Sequence, residues 1–387
     1  MKYKYLLLIP LLFFMTGCWD YHELNQLAIT TAMAIDLTDD GDYKVSILIA
    51  NGKNNQTNNR EGQSQTVVYS GEGETISRAF REINLQIPKI PYIGHLGVVV
   101  VSEEVAEQGM RGILDYLLRN PESVKRFYLI LAKDESAEDV IKVLSPLETF
   151  PGQSIATNIS LSDQQEAIST SITYSKFVEN LLMKGKDPSL PSISISGDPE
   201  DGSSDKNLEG SDIKTKTKLG PVALFSDDKL VYIASKTESR GINIITNQID
   251  EMIIEKDCDD GHIVVNLTGM STKINVSLKD NEPHVTIDVT SDGAIQEITC
   301  DKNIQDSKVI SEIEDDVKDK VTKKLKTAIE VTQTYESDTF GIGNLFYKKY
   351  PSYFEGIENW HDTYKTISFD YNVSIHISTK GSVEKTI

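Results

Sequence analysis

Leu96-Gly-Val-Val-Val-Val-Ser-Glu-Glu104 runs from four consecutive valines straight into a helix start. An unbroken apolar run suits a strand buried on both faces, and Ser102 with two glutamates behind it supplies a cap and an acidic first turn. The following helix is expected to bury Val105, Ile113, Leu114, Leu117 and Leu118. Phe127-Tyr-Leu-Ile-Leu-Ala132 and the cap Ser136 repeat the succession, with Val140, Ile141, Val143 and Leu144 inward. Strands alternating with helices predict a mixed α/β (α+β) fold class.

On the N-terminal side, Leu27–Ile35 and the alternating Tyr43, Val45, Ile47 and Ile49 read as two strands joined at Thr38-Asp-Asp-Gly-Asp42. Asn51–Ser64 is polar and reads as a loop, and Ile76, Ala79, Phe80 and Ile83 then share one helical face. On the C-terminal side, a helix around Ser171–Met183 precedes Pro191–Ser196, expected to be an edge strand. Gly197–Lys216 is nearly devoid of apolar residues and reads as a loop or interdomain linker. Gly220–Phe225 and Lys229–Ile233 make a hairpin, and Lys236–Gln248 reads as a helix weakened by Gly241.

Ile263–Leu267, Thr272–Leu278 and Pro283–Thr290 read as strands, Asn303–Tyr335 as the longest amphipathic helix, and Ile367–Ile377 as a last alternating strand. The expectation is three domains, each a small sheet flanked by helices. They cover residues 18–200, a small middle domain at 219–260 behind a 201–218 linker, and 261–387. The last is expected to be an antiparallel sheet with one long helix.

Residues 1–17 stand apart. Lys2 and Lys4 begin the chain, Tyr5–Met15 is almost unbroken apolar sequence, and Thr16-Gly-Cys18 ends it with two small residues before a cysteine. That order describes a secretory signal peptide with a lipobox. The apolar run falls short of the ~20 residues a spanning helix needs. The leader is therefore expected to be removed and the Cys18 thiol to carry a diacylglyceryl group, outside the cytoplasm. Trp19 beside such an anchor suits the headgroup layer, where an amphipathic ring is stable. It can equally cap the first domain or meet a membrane partner, together with Asp20, Glu23 and Asn25.

The formal charge of −20 becomes more negative when Lys2 and Lys4 leave with the leader. Such a polyanion repels nucleic acid and anionic headgroups, so attachment to a membrane has to come from the acyl chains. Beyond Cys18 the chain has only Cys258 and Cys300, at the two ends of a strand-rich stretch. An oxidising compartment permits a bridge between them or leaves two thiols.

Gly17-Cys-Trp-Asp-Tyr-His-Glu-Leu-Asn25, followed by Ala34-Ile-Asp36, resembles the start of the C-subunit lipoproteins of bacterial spore germinant receptors, the Ger(x)C family. His95–Gly109, Ile113–Arg119, Gly220–Leu230, Glu238–Gly241, Asp338–Gly343, Tyr347–Pro351 and Trp360 follow in the family's order. The resemblance implies three α/β domains and a non-enzymatic subunit at the outer face of the spore inner membrane. Its partners there would be a membrane-embedded A subunit and a transporter-like B subunit.

The residues themselves show no catalytic constellation. His22, His95, His262, His284, His361 and His376 are scattered without zinc spacing, and neither a nucleophile elbow nor a phosphate-binding loop occurs. Asp39, Asp40 and Asp42 lack the bidentate glutamate of a calcium loop and read as a hairpin turn. Gly341 and Gly343 read as a helix-opening turn, and Trp360 with the Phe340–Tyr350 aromatics as packing. No cofactor is therefore expected. The alternative function is a solute-binding lipoprotein that holds a small ligand between domains.

Overall fold

The structure is a computed structural model and describes residues 23–51, 65–162, 168–258 and 261–378. Leu24–Gln26 forms a single 3₁₀ turn that leads into β1 (Leu27–Leu37). Then come β2 (Tyr43–Ala50), β3 (Thr66–Gly73), α1 (Ile76–Gln86), β4 (Ile90–Tyr92) and β5 (Val98–Val101). α2 (Glu103–Gln108), α3 (Arg111–Arg119), β6 (Tyr128–Ala132), α4 (Ala137–Lys142), α5 (Pro151–Ser162), α6 (Tyr174–Leu182) and β7 (Ser189–Ser196) continue the chain. A short helical turn, α7 (Pro199–Gly202), precedes the hairpin β8 (Lys216–Ser226) and β9 (Lys229–Ile233).

These strands make one sheet in the order β3-β2-β1-β5-β6-β7-β8-β9, with β4 paired to the start of β1. β1, β5, β6 and β7 run parallel at its centre, and both ends are antiparallel hairpins. The central strands are covered on both faces, which is why Val98–Val101 reads as continuous valine: all four are fully buried. Thr75, Ser102, Ser136 and Thr173 cap their helices through their side-chain oxygens. The helix expected after Ser102 breaks in two at Gly109, whose φ of +132° belongs to glycine. Leu118 consequently points outward, 55% exposed.

The second sheet consists of β10 (Glu251–Cys258), β11 (Gly261–Lys279), β12 (Glu282–Ile298) and β13 (Ser368–Ser378), in that order. Before it comes α8 (Lys236–Ile245), and between β12 and β13 lie α9 (Ser307–Thr334), α10 (Ile342–Lys349), α11 (Pro351–Glu355) and α12 (Trp360–Thr366). Asp280 and Asn281, both at positive φ, form the tight turn between β11 and β12. α9 buries Ile313, Val317, Val321, Leu325 and Ala328 at spacings of three and four. None of the described helices is long and apolar enough to cross a membrane.

The mixed α+β class and the C-terminal sheet with its long helix match the expectation, but four features differ. β13 lies parallel to β12, because the chain crosses over through α9–α12 before returning. Pro191 sits in an interior strand, where a register shift between Pro191 and Ile193 absorbs its missing donor. Residues 201–218 are packed rather than a free linker: the Asn207 amide donates to the Leu144 carbonyl at 3.1 Å and to the Thr215 carbonyl at 2.8 Å.

The 219–260 stretch is likewise no separate domain. In β8, Ala223 and Phe225 belong to the core of the first sheet, whereas Val222 and Leu224 belong to the core under the second. One strand thus serves two cores, and two sheets replace the expected three. The Asn-rich loop expected at 51–64 lies outside the described residues, apart from Asn51.

Candidate functional site at the junction of the two sheets

Each buried acid near the β8 seam comes from a turn that the sequence already marks. Lys184-Gly-Lys-Asp-Pro188 ends α6, with Gly185 at φ +66°. Ser337-Asp-Thr-Phe-Gly-Ile-Gly343 links α9 to α10, with Gly341 at φ +73°. The two glycine turns lie against each other, and the Asn344 N–H donates to the Gly185 carbonyl at 2.9 Å. A methyl group on Gly343 would sit 2.5 Å from Trp360 Cε2 and 2.7 Å from Gly185 Cα. Glycine is needed there for close approach of the chains.

Asp187 and Asp338 face each other across this contact. The Asp187 N–H donates to the Asp338 carbonyl at 3.0 Å, and the Asp338 N–H donates to Asp187 Oδ2 at 2.7 Å. Asp187 Oδ1 also accepts the N–H of Asp227, in the β8–β9 turn, at 2.8 Å. His361 Nε2 lies 3.0 Å from Asp187 Oδ2. Asp338 Oδ1 accepts from Ile342 N–H at 2.9 Å, while Oδ2 accepts from Gly343 N–H at 2.7 Å and Trp360 Nε1 at 2.9 Å. The next residue of the β8–β9 turn, Asp228, takes both the backbone N–H and the Nε of Arg111, each at 3.0 Å.

Burial pushes the Asp338 carboxyl up to about 7, although three N–H donors and the start of α10 favour its anion. The hydrogen bond to Asp187 raises the His361 imidazole above its ordinary value. Burial lowers the Lys186 ammonium, which lies beside Asp338 with the Lys176 cation nearby. The four carboxylate oxygens of Asp187 and Asp338 all accept from the protein itself. This arrangement joins residues 151 positions apart and leaves no oxygen of the two carboxylates without a protein donor.

A third buried acid, Asp36, fixes the far end of β1. Asp36 accepts from the N–H groups of Ala137 at 2.7 Å and Glu138 at 3.0 Å, capping α4. Burial raises its carboxyl to about 6. Glu138 pairs with Lys44 and Lys142 beside it. In α8, the Ser239 hydroxyl accepts from Val222 N–H at 3.0 Å, and Gly241 lies against the Lys324 carbonyl and Ala328 of α9. The Glu238-Ser-Arg-Gly241 motif therefore seats α8 against both β8 and α9.

Of the residues singled out in the sequence, Cys18, Trp19 and Asp20 lie outside the described residues. Glu23 and Asn25 are exposed; Glu23 caps the 3₁₀ turn, and the Asn25 amide donates to it at 3.0 Å. Cys258 and Cys300 form a disulfide, with Cα atoms 6.5 Å apart, tying the end of β10 to the segment after β12. Trp360 packs on Phe346 and Phe354. Gly341 is the helix-opening turn expected of it. Asp187 and His361 were not legible as a pair, since 174 positions separate them and only the glycine of Lys184–Pro188 hints at a close contact.

A sequence model of the spore germination protein N-terminal domain matches residues 20–195. One of the spore germination B3/GerAC-like C-terminal domain matches residues 221–381. The two lie in order over most of the chain, which belongs to this germinant receptor C-subunit family.

Among its relatives, spore germination protein KC of Bacillus subtilis (strain 168) is 26% identical, over 94% of this chain and 92% of that protein. Spore germination protein B3 of the same organism is 22% identical, over 99% of each chain. The crystal structure of the GerBC protein shares the fold, with a TM-score of 0.54 and 16% identity, covering 89% of this chain and 96% of that one.

Proposed function

We propose that this chain is the lipid-anchored C subunit of a nutrient germinant receptor. Acylated Cys18 holds it at the outer face of the spore inner membrane, and it works by assembling with membrane-embedded A and B subunits. Its contribution is a rigid binding body rather than a reaction. The observation that carries this reading is the junction: the most deeply buried acids, Asp187 and Asp338, are fully engaged in tying the two sheets together.

That arrangement suits a body that must hold one shape beside its partners. It also weakens the solute-binding alternative, which needs lobes able to hinge around a ligand. Replacing Cys18 with Ala in the sporulating cell tests the reading. The protein should leave the membrane fraction, and nutrient-triggered germination should slow. Full membrane retention of that variant would overturn the anchor.

A further inference from the structure

Exposed aliphatic side chains occur just before β1 and in the α1–β4 segment that pairs with its start. Leu24, in the 3₁₀ turn, is 74% exposed; Leu85, in the last turn of α1, is 81% exposed. Ile90, in β4, is 38% exposed, and its backbone is registered against Leu27 in β1. Asn25 and Gln26 share a shallow depression with Ile87, Pro88, Lys89 and Ile90. Within residues 23–26 and 84–90 the charged side chains are Glu23 and Lys89, one of each sign. On a chain of net charge −20 this end is neutral and greasy.

We propose that this end of the first sheet rests on the lipid surface, with Leu24, Leu85 and Ile90 entering the headgroup layer beside the anchor. The inference rests on the acylation of Cys18 put forward above. Five residue steps separate Cys18 from Glu23, and extended chain covers at most about 18 Å over that length. The tether therefore leaves the Leu24 end little freedom to stand off from the bilayer.

Charge points the same way. The acidic cleft lined by Asp36, Asp39, Glu103, Glu104, Asp134 and Glu135 lies at the opposite end of β1. Ten strand steps place it roughly 33 Å away. The end that anionic headgroups would repel is thus the one held away from them, and the neutral end faces them.

The test uses the full acylated chain in vesicles of phosphatidylethanolamine and phosphatidylglycerol. An environment-sensitive fluorophore is attached at Leu85→Cys or, as comparator, at Asp40→Cys. Both positions are exposed, so neither substitution disturbs the core. Headgroup-labelled quencher lipid should suppress emission from position 85, with a blue shift on vesicle binding, and leave position 40 unchanged.

Equal quenching at the two positions in vesicle-bound protein would overturn the lipid-facing patch while leaving the anchor intact. Failure of the chain to float with vesicles would remove the anchor and this inference together. Protection of position 85 only in the presence of the membrane-embedded subunits would give the patch to a protein partner and overturn its contact with lipid.

Discussion

Replacing Asp338 with Asn keeps the shape of the side chain and removes its ability to ionise. The amide has one acceptor oxygen where the carboxylate has two, so it cannot serve Ile342, Gly343 and Trp360 from both sides. In its better orientation, one backbone donor and the amide N–H₂ face each other unsatisfied. At about 1–3 kcal/mol for each buried orphan, the variant should lose about 2–6 kcal/mol relative to the ionised carboxylate.

The pH dependence carries more information. Asp338 is raised from 3.8 to about 7, so between these values the folded state holds a proton that the unfolded chain has released. Its contribution is complete below about pH 4 and disappears as pH rises through about 7. From pH 5 to pH 8 the native protein passes through two pKa units of that interval, or about 3 kcal/mol. The asparagine variant has no such slope. Asp36 titrates in both proteins and cancels from the difference, as His361 does apart from its distant interaction with Asp338.

The two stabilities should therefore converge by about 3 kcal/mol between pH 5 and pH 8. Urea unfolding of the soluble chain, followed by tryptophan fluorescence at both pH values, measures this directly. A gap that stays constant, or widens at pH 8, would refute the raised pKa of Asp338 in the junction.

Three other expectations follow from the packing. Gly241→Ala places a methyl against the Lys324 carbonyl and Ala328 Cβ, and overpacking should outweigh the helix-propensity gain for a net loss of about 1–2 kcal/mol. A raised melting temperature would contradict that close approach of α8 and α9. Removing the Cys258–Cys300 bridge, which spans 42 positions, should cost about 4 kcal/mol by loop entropy. Equal urea midpoints with and without reductant would show that the bridge contributes nothing. Asp36→Ala leaves the Ala137 and Glu138 N–H groups without their acceptor and should destabilise by about 2–6 kcal/mol near pH 4, shrinking above pH 6 as the native carboxyl ionises. Hydrogen exchange at those two amides reports it, and unchanged protection would disprove the cap.

Local rules made much of the fold legible. The four valines, the caps Ser102 and Ser136, the Thr38–Asp42 turn and the three-four spacing of α9 each express short-range physics, and each lies where it was expected. What escaped was long-range. Val222-Ala-Leu-Phe225 is apolar on both faces, and a run of that kind cannot reveal that its two sides belong to different cores. The parallel placement of β13 depends on where α9–α12 carries the chain, not on the alternation within Ile367–Ile377.

The junction escaped for a similar reason. Asp338 stood out as part of a motif, but Asp187 and His361 look like any surface acid and histidine until folding brings them together. Pro191 misled because its missing donor marks a sheet edge unless a bulge absorbs it.

The most direct measurement of the central claim is crosslinking and co-purification of the acylated chain from spore inner membranes, beside the Cys18→Ala variant. The expected result is recovery of both polytopic receptor subunits with the acylated chain and their loss with the variant. An acylated chain that remains in the membrane yet is recovered without either subunit would contradict a role in receptor assembly.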